Sequence, residues 1–187
     1  MDDFFSGELV RLAAINRDDL PTYTRWFRQY SMRRYLGLTI TPATVEEEES
    51  WYESAIKAQG KNLFIFGIRR LADDRLLGNA DLRLSHPKDK RAQFGIFLGE
   101  PDTWGKGYGT DATRLILRFG FLELGLHRVE LDVYSFNPRG VRAYEKAGFR
   151  HEATRREAIF REGAYHDVHV MGILREDWDA PNPRSDD

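Results

Sequence analysis

WGKGYGTDA, residues 104–112, places Gly105, Gly107 and Gly109 on alternate positions around Lys106 and Tyr108. Glycine loses more conformational freedom on folding than any other residue, so three in five positions need a reason. The chemistry they suit is anion binding. At the start of a helix, N–H groups without intrahelical partners converge on the positive end of the dipole, and glycine lets a phosphate approach them closely. Lys106 can add charge or face solvent, and the same letters also suit a plain glycine-rich helix cap. Two phosphate patterns fail on counting. A Walker A loop needs glycine at 100 and a hydroxyl at 107, where Glu100 and Gly107 stand. A dinucleotide fingerprint begun at Gly105 and Gly107 needs a third glycine where Thr110 stands.

Other reactive residue types narrow the choice. The 187 residues contain no cysteine, which excludes disulfides, thiolate metal sites and a cysteine acyl-enzyme. His166 and His169 alone among the histidines are close in sequence. A spacing of three in a strand sends them to opposite faces, so no metal is expected. The net charge of −2 gives no reason to expect nucleic acid or an anionic membrane as partner. No apolar run reaches the roughly 20 residues of a membrane helix. The opening MDDFFSGELV lacks the apolar core of a signal peptide, so a cytoplasmic location is expected. With 31% charged and 13% aromatic residues the chain is of globular type. Its length fits one domain, set at residues 1–180, with 181–187 as a frayed tail.

The elements that must position the glycines follow from hydrophobic periodicity. ELVRLAAI reads as a strand. NRDDLPTYTRWFRQYSMRRYL reads as one helix capped by Asn16, with Leu20, Tyr23, Phe27 and Tyr30 on one face. TPATVEEEESWYESAIKAQG reads as a second helix, opened by a Thr44–Glu47 capping box and closed by Gly60, with Glu46 to Glu49 as a solvated first turn. NLFIFGIRR, RLLGNADLRL and RAQFGIFLG form an antiparallel meander. DATRLILRFGFLELG is a helix with an apolar stripe of Ala112, Leu115, Ile116, Phe119 and Leu122, stopped by Gly125. HRVELDVYSF is a strand, NPRGVRAYEKAGF a short helix, and the C-terminal run a hairpin turning at REG. The order β-α-α-β-β-β-α-β-α-β-β describes an α/β chain of mixed (α+β) type, one mixed sheet with helices on its faces.

Gly107 and Gly109 also fill the small positions of the pattern [Q/R]-x-x-G-x-[G/A] between a strand and a long helix, with Trp104 where Gln or Arg is usual. This segment resembles the acetyl-CoA loop of the GCN5-related N-acetyltransferase (GNAT) superfamily. It is close to the W-G-K-G-Y-[AG]-T-[ED]-A of its ribosomal-protein-alanine type. NPRGVRAYEKAGF resembles the family's second block, N-x-x-[SA]-x-x-x-Y-x-K-x-G-F. It matches at Asn137, Tyr144, Lys146, Gly148 and Phe149 and departs at Gly140. The resemblance spans roughly residues 8–178. It implies the GNAT fold with acetyl-CoA as co-substrate, held by Trp104, Gly105, Lys106, Gly107, Tyr108, Gly109 and Thr110, and by Asn137 on the pantetheine or adenosine part. It implies that FGIFLG splays from its neighbour strand. Pantetheine then pairs with the free edge, and an amide near Phe97 or Leu98 faces the thioester carbonyl. It implies Tyr144 as the acid that protonates the leaving thiolate, an exchange suited by ordinary thiol and phenol pKa values of about 8.5 and 10. A homodimer is a further expectation of the family.

The resemblance leaves the amine's proton acceptor open. Many relatives carry Glu in A-E-[FI]-G, where this chain has Gln93, which cannot take a proton but can hold a water or the substrate. Glu100, Asp102 and Asp81 are the acids that remain, Glu100 first among them. The acceptor is a primary amine, directly acetylated in a ternary complex. GKGYGTDA leans toward a peptide N-terminus, MRRYL and RAQFGI resemble spermidine N-acetyltransferases, and antibiotic or other small amines form a third class. Tyr165, His166 and Asp167 on the last strand could reach that pocket, and His127 is read as structural. The alternative of another class is a module that binds acetyl-CoA and senses without turnover, which Gln93 favours and Tyr144 opposes.

Overall fold

The computed structural model describes residues 3–36 and 44–179. The tail set apart at 181–187 lies outside the described residues. Among the described residues alternating apolar runs make seven strands: β1 (Val10–Ala13), β2 (Leu63–Arg70), β3 (Leu76–His86), β4 (Arg91–Leu98), β5 (Arg128–Tyr134), β6 (Arg150–Arg161) and β7 (Ala164–Leu174). They form one sheet in the order β1-β2-β3-β4-β5-β7-β6. Only the β4–β5 pair is parallel, as a helical crossover between them requires. The helices are α1 (Leu20–Phe27), α2 (Tyr30–Arg33), α3 (Val45–Ala58), α4 (Tyr108–Arg118), α5 (Pro138–Lys146) and α6 (Arg175–Asp179). None among the described residues is long and apolar enough to cross a membrane.

Two cores hold the sheet. One gathers Leu82, Phe94, Val129, Leu131 and Ile173 from the strands with Ile116 and Leu117 of α4 and Phe149 after α5. The other gathers Tyr23 and Trp26 of α1 and Ala55 of α3 with Leu63, Ile65 and Leu76. The Thr44–Glu47 capping box forms as the spacing predicts, and the REG turn carries Glu162 and Gly163 at φ 51° and 79°.

Three expectations change. The first helix breaks at Gln29, which is extended at φ −92° and ψ 120°. An unbroken helix would bury Tyr30 one face-repeat after Tyr23; instead Tyr30 is exposed and Met32 and Arg33 are buried. Glu48 is not part of a solvated turn. It is buried, its carboxyl is pushed up by desolvation, and the nearby charge of Arg33 opposes that rise. After Arg118 the helix widens into one π-helical turn, Phe119–Glu123, closed by a bond from Leu124 N–H to Phe119 O. The extra residue rotates the stripe, so Phe121 is 0% exposed and Leu122 is 50% exposed.

The feature that positions the site is the separation of β4 from β5. Their pairing runs through Arg91–Arg128, Ala92–Val129 and Gln93–Glu130 and then ends. Gly78 on β3 permits this. A Cβ there would stand 1.8 Å from the Phe97 carbonyl oxygen, so only glycine lets β4 lean across β3 and away from β5. Gly99 donates its N–H to Leu77 O, which fixes the alternation along β4. Residues 95, 97 and 99 turn their polar groups to β3, and residues 94, 96 and 98 turn theirs to the parted side.

Candidate active site

A cavity of about 930 Å³ passes through the gap between β4 and β5. It is lined on the α4 and α5 side by Leu98, Trp104, Gly105, Gly107, Gly109, Thr110, Asn137 and Tyr144. On the α1 and α3 side it is lined by Phe27, Tyr35, Trp51, Asp81, Gly95, Phe97, Asp132 and Tyr134. One opening therefore holds two chemically distinct halves that meet where the strands part.

The glycine stretch forms the first half. Gly105 and Gly107 adopt φ 74° and 89°, which L side chains rarely take, and they turn the chain from β4 into α4. Asp111 donates its N–H to Gly107 O, so the amides of Tyr108, Gly109 and Thr110 precede the first intrahelical bond. Asp111 also fixes this helix start. Its buried carboxylate accepts from the amides of Leu9 at 2.8 Å and Val10 at 3.0 Å, tying α4 to β1. Sequence reasoning passed over Asp111; its signal was an acid in the first turn of α4. Trp104 donates its indole N–H to Leu98 O at 3.0 Å, one of the carbonyls that β5 leaves unpaired. The Leu98 amide faces the gap by the same alternation, whereas the Phe97 amide faces β3 and its ring packs on Phe27 at 5.0 Å. Asn137 caps α5 by accepting from Gly140 N–H at 3.1 Å. A Cβ at Gly140 would stand 2.6 Å from the Asn137 amide nitrogen, so the departure from Ser or Ala gives that amide its room. Lys106 is exposed, and Tyr108 packs against the core; neither lines the cavity.

Tyr144 stands at the junction. Its ring meets Phe94 and Phe149 edge-on at 6.0 and 6.1 Å. Burial pushes its hydroxyl up to about 12, which keeps the phenol protonated across the physiological range.

The acids separate by register. Asp81 pairs with Gly95 across β3 and β4. A Cβ at residue 95 would stand 2.7 Å from an Asp81 carboxylate oxygen, so Gly95 clears the space that Asp81 occupies in the cavity wall. Burial pushes the Asp81 carboxyl up, and Arg83 opposes the rise. Glu100 instead faces α1. It accepts from Trp26 Nε1 at 2.8 Å and from Arg25, and Arg75 lies 3.4 Å away. Burial raises its carboxyl, but the bonds from Trp26 and Arg25 and the charges of Arg25 and Arg75 together hold it below the usual range. Asp102 pairs with Arg75 at 3.5 Å. Gln93 lies where β4 and β5 still pair, before the gap opens. Tyr165 is 65% exposed near the hairpin tip against Phe160, and His166 packs on Phe136. Glu100, Asp102, Gln93 and Tyr165 are not among the cavity-lining residues.

Residues 10–150 match the acetyltransferase (GNAT) domain. The chain belongs to this family. Curated N-acetyltransferases are similar over a large part of the chain. The SPbeta prophage-derived uncharacterized N-acetyltransferase YokL of Bacillus subtilis (strain 168) is 29% identical over 94% of this chain and 96% of its own. The probable N-acetyltransferase YjcK of the same organism is 38% identical over 60% of this chain and 62% of its own. The crystal structure of spermidine N-acetyltransferase from Vibrio cholerae in complex with CoA and spermine superposes with a TM-score of 0.81 at 27% identity. The match covers 90% of this chain and 97% of that one. This GNAT chain is an acetyl-CoA-dependent acyltransferase, an N-acetyltransferase.

Its residues fit that co-substrate. Free helix-start amides beside Gly105 to Thr110 suit a diphosphate, and the Leu98 amide, turned to the parted side, suits a carbonyl of the acyl-pantetheine arm.

Proposed function

We propose that this protein acetylates a small cationic amine directly, in a ternary complex, with Tyr144 as general acid and Asp81 as general base. The observation that carries this reading is the single cavity through the β4–β5 gap, with Tyr144 and Asp81 both on its wall. Acetyl-CoA supplies an activated acetyl thioester. The helix start at Tyr108 to Thr110 receives its diphosphate, Asn137 its pantetheine or adenosine part, and the Leu98 amide the thioester carbonyl. Tyr144 holds its proton in an apolar pocket and donates it to the leaving sulfur. The same desolvation that raises the phenol also makes a thiolate there more basic, so the transfer remains matched.

The amine must lose a proton to attack. Asp81 takes it, directly or through a water. Its raised carboxyl is a better acceptor than Glu100, which Trp26, Arg25 and Arg75 hold low against its burial and which faces away from the cavity.

The acceptor half combines Phe27, Tyr35, Trp51 and Tyr134 with the carboxylate of Asp81. Aromatic faces and a carboxylate attract positive charge, which suits an amine carrying further charged nitrogens. The solved relative named for spermidine and bound to spermine supports the same class. A thiol-release assay with acetyl-CoA tests it across spermidine, aminoglycosides and peptides beginning with Ala or Ser. CoA release driven by spermidine is the expected result. Release driven by the peptides alone would move the acceptor to protein N-termini.

A further inference from the structure

Successive side chains of β3 point to opposite faces of the sheet, so Asn79 and Asp81, two residues apart, share one face. Both line the cavity. Across β4, Asp81 is level with Gly95 and Asn79 with Phe97, whose ring packs on Phe27 of α1. Asn79 therefore stands beside Asp81 in the α1 and α3 half, on the side nearer Leu98.

Asn79 is only 8% exposed. Other buried polar side chains are bonded within the fold. Asp19 accepts from Arg69, Thr103 donates to Glu100 O, Asp111 accepts from Leu9 and Val10, and Thr113 donates to Gly109 O. Among the described residues no hydrogen bond engages the Asn79 side-chain amide. Phe97 beside it packs against the apolar cluster of Tyr23 and Trp26, so packing asks for an apolar side chain at this place. A buried amide left unpaired is costly, and an apolar residue of similar size would remove the cost. Its partner enters through the cavity.

An asparagine side chain offers one acceptor oxygen and two N–H donors. A neutral primary amine carries two N–H groups besides its lone pair. One of them is lost as the new amide forms, and the other survives in the product. We propose that the Asn79 side-chain oxygen accepts this surviving N–H, turns the lone pair toward the thioester and makes the protein select primary over secondary amines. The inference rests on reading the α1 and α3 half of the cavity as the acceptor site. A secondary amine has a carbon in place of that N–H, so it leaves the Asn79 oxygen buried and unpaired.

Thiol release from acetyl-CoA by the full chain tests this with two matched pairs. One pair is spermidine and its analogue methylated on both terminal nitrogens. The other is a peptide beginning with Ala and the same peptide beginning with N-methylalanine. The native protein is expected to favour the primary amine of the pair it accepts by about 100-fold in kcat/KM. Asn79→Leu is expected to lose about 30-fold on the primary amine and to narrow the preference below about tenfold, with coenzyme A affinity within about twofold of native. Its melting temperature is expected to match or exceed the native value. Asn79→Ala repeats the kinetics without bulk should leucine disturb the fold. Equal use of primary and secondary amines by the native protein, or an unchanged preference in a folded variant, overturns the role of Asn79 and leaves the acceptor site standing. A folded variant that loses coenzyme A affinity in step with rate overturns it as well. The expected pattern on the peptide pair alone overturns only the small cationic amine. No turnover of either pair overturns both.

Discussion

The roles proposed for Tyr144 and Asp81 rest on one cause, burial, which raises both groups and acts oppositely on their usefulness. A phenol raised to about 12 stays protonated, so it serves only as a donor. Tyr144→Phe is expected to lower kcat about 100-fold and to change coenzyme A affinity less than about threefold. No loss of activity from Tyr144 ionisation is expected below about pH 10. Steady-state kinetics and titration of the variant check both. Asp81 offers a second test because its raised carboxyl costs stability. Below the unfolded pKa of about 3.9 both states hold the proton and there is no penalty. As pH rises toward the folded pKa, the unfolded state releases its proton first, and stability falls through that window and stays lower above it. Asp81→Asn is therefore expected to raise Tm by a few degrees at pH 7, with no gain near pH 3. It is also expected to cut kcat/KM for the amine about 100-fold and to remove the acidic limb of the rate–pH profile. A variant with native activity would exclude Asp81 as the base.

At the scale of elements, the site depends on how β4 leaves β5 and what holds β4 once it has left. Gly78 allows the lean, and Glu100, just after β4, anchors the strand end to α1 through Trp26 and Arg25. Glu100→Gln is expected to destabilise the fold by about 1–3 kcal/mol at pH 7. Its carboxyl is held low in the fold, so that contribution is present above the unfolded pKa of about 4.3 and is lost as pH falls through the folded value. Melts at pH 7 and pH 3 should show the difference shrink, and the shape of the rate–pH profile should not move. The choice between Glu100 and Asp81 was not legible in the sequence. Both acids flank the same strand pair, and only the register Asp81–Gly95 decides which one enters the gap. The succession of strands and helices along the chain, the capping box at Thr44 and the glycine turn into α4 were legible because each depends on neighbours in sequence. The break at Gln29 and the π turn at Phe119 were not, because burial of Met32 and Phe121 against other elements sets them.

At the scale of the whole molecule, the proposed function puts donor and acceptor on opposite faces of one sheet. α4 and α5 bound the side of Trp104 and Asn137, while Phe27 of α1 and Trp51 of α3 bound the side of Asp81. The two substrates then need not exchange places, and the wall between them is open where β5 fails to pair with β4. The proposed direct transfer draws on this arrangement: the chain contains no cysteine to carry the acetyl group, and the one cavity reaches both faces of the sheet. Initial rates with acetyl-CoA and spermidine varied together are expected to give intersecting double-reciprocal lines. Desulfo-coenzyme A, which lacks the sulfur, should compete with acetyl-CoA and act noncompetitively toward the amine. Mass spectrometry of the protein after incubation with acetyl-CoA alone should find no acetylated side chain. Parallel lines together with a protein-bound acetyl group that an amine discharges would show that the two faces work in turn, and the ternary complex would be excluded.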